Sequence, residues 1–101
     1  MFGMLAKMRA HPGQRDALAA VMLGSIGEMP GCLSYIVAND SVEPDTLWVI
    51  EAWADKASHD ASLTLPAVQS AIAQARPLIA ALESNVIVEP VGGVGLGSQR
   101  P

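Results

Sequence analysis

The chain has 101 residues, half of them hydrophobic, and a formal net charge of -4 with no basic run to offset it. That length holds one domain with a modest core, that composition is globular rather than disordered, and the acidic balance argues against nucleic acid or an anionic membrane as partner. Charged residues reach only 16%, low for a small monomer with much surface to solvate, so an oligomer that hides apolar surface is expected.

Cys32 is the single cysteine, which leaves no intrachain disulfide and no thiolate zinc cluster. No basic-then-apolar leader is read at the start, and no apolar run nears the ~20 residues of a membrane span. A soluble, cytoplasmic protein is the expectation.

The opening "MFGMLAKMR" reads as a buried or half-buried strand, closed by two basic residues. Pro12-Gly13 then marks a turn. From Gln14 to Met29, Leu18, Val21, Met22, Ile26 and Met29 recur at spacings of three and four, which predicts an amphipathic helix with one buried stripe. Gly24 and Gly27 weaken it, and Pro30-Gly31 ends it. "CLSYIVAND" is a second strand, "SVEPD" a turn, and "TLWVIEAW" a third strand and the clearest in the chain, so the two strands form an antiparallel hairpin.

Asp55 is a good N-cap for a helix running to about Leu63, and Pro66 permits a fresh helical start. Val68, Ile72, Ala75, Ile79 and Leu82 carry the stripe of that next helix, with a kink expected around Pro77. "SNVIVEP" is a fourth strand. The division expected is a domain over residues 1–90 and a Gly-rich tail, mobile or draped on a partner, over 91–101.

The order βαββαβ predicts an α+β, ferredoxin-like arrangement, a four-stranded antiparallel sheet with its helices on one face. Alternation in the third strand separates Trp48, Ile50 and Ala52 from Val49, Glu51 and Trp53. Both sets carry large apolar groups, so both faces are expected to be covered, the second by a homodimer packing sheet against sheet. Trp48 is expected in the core under the helices.

One stretch, "DKASHDAS", places Asp55, His59 and Ser62 at helical spacing and invites comparison with a hydrolytic triad. A triad needs its nucleophile on a constrained turn beside oxyanion donors. Here the Asp is wanted as N-cap, the Ser lies inside a helix, and no Gly-rich elbow accompanies it. Hydrolysis is therefore set aside.

"HPGQRDAL", "MPGCLSYIVAND" and "VIEAW", followed by a helix leading to "LTLPAVQ", resemble the antibiotic biosynthesis monooxygenase (ABM) family, in particular its small quinol-monooxygenase-like members. The likeness covers roughly residues 1–90. It implies a homodimeric α+β barrel with a cavity between sheet and helices. For some members it implies oxygenation of quinols or polycyclic phenols by dioxygen with no cofactor, neither metal nor flavin.

That chemistry asks little of the protein, because a deprotonated hydroquinone or anthrone itself hands an electron to dioxygen. The protein binds the aromatic ligand in an apolar pocket, assists deprotonation and stabilises the anion. The same pocket serves a non-catalytic small-ligand-binding dimer or an isomerase of a small carbonyl compound, and both stay open as alternatives.

Departures from the relatives are specific. Ser62 and Ala67 stand at positions that are often His in them, and His59 lies one helical turn before Ser62. Haem-degrading relatives carry an Asn in the first strand, which this chain lacks, and a His where it has Leu63, so the haem reading is rejected. Polyketide-tailoring relatives carry an Asn where this chain has Val49.

Five candidates follow. His59 is the general-base candidate of the second helix, because an imidazole ordinarily titrates near neutrality. Glu51, beside an indole on an apolar strand, is a second base candidate, the alternative being an interface ion pair with Lys7 or Arg9. Trp53 stacks on a flat ligand or packs in core or interface. Tyr35 donates a hydroxyl to a substrate oxygen or simply packs, and Ser62 is a polar group of the cavity wall. No metal site is expected.

Overall fold

The computed structural model describes residues 1–96; the remainder of the expected tail, 97–101, lies outside the described residues. Strand β1 (Phe2–Ala10) leads through the Pro12-Gly13 turn into helix α1 (Arg15–Gly24). The hairpin follows as β2 (Cys32–Asn39) and β3 (Thr46–Trp53), then two short helices, α2 (Lys56–Ser62) and α3 (Pro66–Ala75). A single 3-10 turn, Arg76–Leu78, delivers the chain to β4 (Ile79–Val88). The sheet runs in the order β2-β3-β1-β4 with every neighbouring pair antiparallel, the ferredoxin-like α+β fold expected from the sequence.

Met8 and Ala10 of β1, Leu47 and Val49 of β3, Leu18 of α1 and Ala75 of α3 form the buried core between sheet and helices. The register puts Phe2 opposite Trp53, Met4 opposite Glu51 and Ala6 opposite Val49, and Tyr35 also pairs with Glu51. Because paired residues share a face, Phe2, Met4, Tyr35, Glu51 and Trp53 all lie on the helix side.

Three expectations are corrected. Helix α1 stops at Gly24 rather than Met29; the Ser25 hydroxyl donates to the Met22 carbonyl at 2.7 Å, and the low-propensity Gly24 and Gly27 fall within four residues. Ile79 to Leu82 belong to β4, not to the preceding helix. Their Ala-Ala-Leu run favours helix, but Pro77 interrupts it, and β1 offers ladder partners, Ala10 to Ile79 and Met8 to Leu82, that override propensity.

Trp48, the third correction, projects from the face away from the helices, with the Lys7 ammonium 5.5 Å from its ring centroid and its Nε1 donating to Asp40 Oδ1 at 2.9 Å. Alternation divides a strand into two faces without saying which one the helices take. The same open face carries Leu5, Ile36, Ile50 and Val86, with Ile36 50% and Val86 51% exposed.

Among the described residues no helix is long and apolar enough to cross a membrane. The two turns that set the helices both need a left-handed glycine. Gly13 has φ +78° and its amide donates to Asp45 Oδ1 at 3.1 Å. Gly31 has φ +83°, and a β-carbon added there would run into the Ser58 side chain of α2.

Candidate functional site

Helix α2 brings the chemistry to the sheet. As expected, Asp55 caps it, its Oδ1 accepting from the Ser58 amide at 2.7 Å. The Ala54 amide donates to the Gly31 carbonyl at 2.8 Å, so the start of α2 is tied to the turn that opens β2. With seven residues the helix has one inward stripe, and His59 and Ser62, three apart, share it. Lys56 and Asp60 remain exposed.

The His59 side chain is only 12% exposed. Its ring centroid lies 4.9 Å from that of Phe2 in a tilted stack, and Trp53 meets it edge-on at 5.7 Å. Its Nδ1 is 3.0 Å from Asp60 Oδ1. The imidazole forms part of the wall of an open cleft of about 630 Å³ between α2 and the β1/β4 edge, with Phe2, Met4, Asn85 and Ile87 opposite and Asp60 at the rim. The wall is mainly apolar and the rim carries the charge, the usual balance of a small-molecule site.

Behind His59 lies an inner polar cluster. The Trp53 indole, 1% exposed, donates from Nε1 to Glu51 Oε1 at 3.0 Å. Burial pushes the Glu51 carboxyl above its ordinary value, while the Trp53 hydrogen bond and the nearby His59 pull it back. Tyr35, across the ladder from Glu51, has its phenol pushed up to about 12, first by burial and then by the Glu51 charge. Its hydroxyl contacts Met22 Sδ at 3.9 Å beside Ser25. Burial and Glu51 also push the Cys32 thiol up.

The five sequence candidates therefore separate. Tyr35, Glu51 and Trp53 come together with His59 on the helix side, Glu51 between Tyr35 and the Trp53–His59 contact. Only His59 of the five lines the open cleft. Ser62 is buried, but its hydroxyl donates to the His59 carbonyl at 2.6 Å, so it is spent on its own helix. Within the chain Glu51 makes no ion pair with Lys7 or Arg9. Lys7 sits over Trp48 on the open face, and Arg9 reaches Glu83 at 4.0 Å.

Ala67 lines a separate groove of about 430 Å³ between α1 and α3, which holds no titratable side chain. Phe2, Met4, Asp60, Asn85 and Ile87 escaped the sequence reading. Only Asp60 had a signal there, its position four residues after Lys56 and adjacent to His59. Among the described residues no three His, Cys, Asp or Glu side chains are placed to hold a metal ion together.

A ferredoxin-like domain with an imidazole at an apolar cleft between sheet and helices belongs to the α+β class. This chain belongs within it to the antibiotic biosynthesis monooxygenase family, whose model matches residues 1–74. It is similar to a solved structure from Chloroflexus aurantiacus J-10-fl, described as a "putative Antibiotic biosynthesis monooxygenase". The identity is 55% over 95% of this chain and 98% of that one, with a TM-score of 0.92.

A Nitrosomonas europaea protein of the same description is 12% identical over 91% of this chain and all of that one, TM-score 0.82. Rv0793 from Mycobacterium tuberculosis is 21% identical over 92% and 97%, TM-score 0.77. These two likenesses speak for the fold alone. Among curated proteins no match is found.

Proposed function

We propose that the protein is a cofactor-independent monooxygenase that oxidises quinols or polycyclic phenols with dioxygen, working as a homodimer. The observation that carries the reading is His59, pinned between Phe2 and Trp53 in the wall of an apolar cleft, with Glu51 holding the Trp53 indole behind it. A flat aromatic substrate enters over Phe2, Met4 and Ile87. His59 takes the proton of its hydroxyl, or of the activated methylene of an anthrone.

Tyr35, its phenol pushed up to about 12 and its hydroxyl on Met22 Sδ at 3.9 Å, lines no part of this cleft and packs across the ladder from Glu51. Glu51 accepts from the Trp53 indole at 3.0 Å and so holds that ring in place against His59. The electron-rich anion then reacts with dioxygen. For an anthrone the methylene becomes a carbonyl, one oxygen atom staying in the product and the other leaving as water with both methylene hydrogens. The substrate supplies all the electrons.

The homodimer is supported by the open sheet face, where Leu5, Trp48, Ile50 and half-exposed Ile36 and Val86 form an apolar surface that a second copy would cover. Residues 1–90 are the working unit in this reading, and the unpaired Cys32 suits the cytoplasm. The test is oxygen uptake by purified, metal-free protein with a panel of hydroquinones and anthrones. Uptake that falls at least ~10²-fold in His59→Ala supports the reading. No uptake, with thermal shifts from the same ligands, replaces it with a binding dimer, and turnover that survives without oxygen replaces it with an isomerase.

A further inference from the structure

We propose that Asp60, held by Lys56, is a positioning residue that fixes His59 as the tautomer with its proton on Nδ1 and its lone pair on Nε2. The proposal rests on the reading of His59 as the base and names what prepares it.

Three observations converge. The Lys56 ammonium donates to Asp60 Oδ2 at 2.7 Å, one helical turn apart. The other carboxylate oxygen, Oδ1, stands 3.0 Å from His59 Nδ1. The ring is held in plane by Phe2 on one side and Trp53 on another, so it does not swing to exchange its nitrogens freely. Lys56 and His59 both draw the Asp60 carboxyl below its ordinary value, with Lys56 the larger influence.

An ionised carboxylate only accepts hydrogen bonds. Facing Asp60 Oδ1, a neutral imidazole therefore carries its proton on Nδ1, and the two ring nitrogens point in widely different directions. Nε2, its lone pair directed away from that of Nδ1, is left bare as the ring atom able to accept a proton. Lys56 matters because it engages the second oxygen and so holds the carboxylate in one orientation. An exposed Lys–Asp pair at helical spacing does little for stability by itself, but here it decides which way a third group faces.

The geometry sets up a discriminating experiment. In Asp60→Asn the amide oxygen is drawn to the Lys56 ammonium, which turns the amide N–H toward His59 Nδ1. An N–H there demands a bare Nδ1 and moves the ring proton to Nε2. In the double variant Asp60→Asn, Lys56→Met the amide is free to turn its oxygen back to Nδ1, and the original tautomer returns.

Nitrogen-15 NMR of the full-length protein reads the tautomer directly, and a His11→Gln background leaves His59 as the single histidine. The expected result is Nδ1–H in the parent, a shift of the tautomer ratio toward Nε2–H by about tenfold in Asp60→Asn, and recovery in the double variant. A parent ring protonated on Nε2 overturns the proposal, as does a ratio unmoved by Asp60→Asn. A double variant that stays on Nε2–H overturns the role of Lys56.

In the oxygen-uptake assay Asp60→Asn is expected to lower kcat/KM by about 10–100-fold with KM little changed, and the double variant to recover part of it. The tautomer reading needs no turnover. A switched tautomer with unchanged kcat/KM would thus count against His59 as the base while leaving the positioning intact.

Discussion

The two tryptophans of β3 sit five residues apart, on opposite faces of the sheet, and each donates its indole N–H to a carboxylate. On the helix side Trp53 donates to Glu51, and burial drives that carboxyl up. On the open side Trp48 donates to Asp40, whose carboxyl is lowered to about 2 by Trp48 first and then by the amides of Glu43 and Val42. One hydrogen bond in a desolvated setting is outweighed by the loss of water; three donors at the surface are not. Glu51 is thereby pushed toward its neutral form, whereas Asp40 is held as an anion that latches the β2–β3 hairpin. The comparison teaches that burial, not the shared indole partner, decides which way each carboxyl moves.

The largest break in that comparison comes from truncating the two indoles. Trp53→Ala removes a fully buried side chain and is expected to cost about 3–5 kcal/mol of folding stability in urea unfolding. Trp48→Ala should cost the folded chain less, yet weaken self-association by about 2 kcal/mol or more, read as a roughly 30-fold rise in the dimer dissociation constant by sedimentation. Next in size is Gly31→Ala, which imposes both an unfavourable φ and a collision with Ser58. A loss of about 1–3 kcal/mol is expected in urea unfolding, together with loosening of α2 in hydrogen exchange.

Two pH experiments sharpen the contrast further, with opposite signs. Asp40 is lowered in the fold, so its contribution is complete above its ordinary value of 3.8 and is lost as pH falls toward about 2. The stability advantage of the parent over Asp40→Asn should shrink over that acid range. Glu51 is raised, so folding favours its protonated form. Its contribution is present below the ordinary value of 4.5 and lost as pH rises through the folded one. Glu51→Gln, which keeps an acceptor for Trp53, should gain stability relative to the parent as pH climbs above 4.5. The Glu51 effect is the smallest of these, and differential scanning at several pH values measures it.

Much of the fold was legible because its signals are local. Pro12-Gly13 and Pro30-Gly31, the Asp55 cap and the alternation of "TLWVIEAW" each specify one turn, one helix start or one strand. What misled were places where a distant partner decides, as at Ile79 to Leu82, whose helical composition yields to pairing with β1. Trp48, expected under the helices, takes the opposite face for the same reason, since distant partners decide which face the helices cover.

At the site, His59, Glu51, Trp53 and Tyr35 were legible as residue types that carry protons or stack on aromatics. Their grouping required the register that sets Tyr35 opposite Glu51, and the approach of α2 that sets His59 on Trp53. Phe2, Asn85 and Ile87 were invisible as site residues because an apolar or neutral strand residue has no chemistry of its own until a cleft opens beside it.

The most direct test of a sheet with one face for ligand and one for a second copy is single-tryptophan fluorescence. Trp48→Phe leaves Trp53 as the reporter, and Trp53→Phe leaves Trp48. Titration with a naphthohydroquinone under anaerobic conditions should quench the Trp53 reporter and leave the Trp48 reporter unchanged, whereas dilution through the dimer dissociation constant should shift Trp48 emission alone. Quenching of Trp48 by ligand with Trp53 silent would contradict the account.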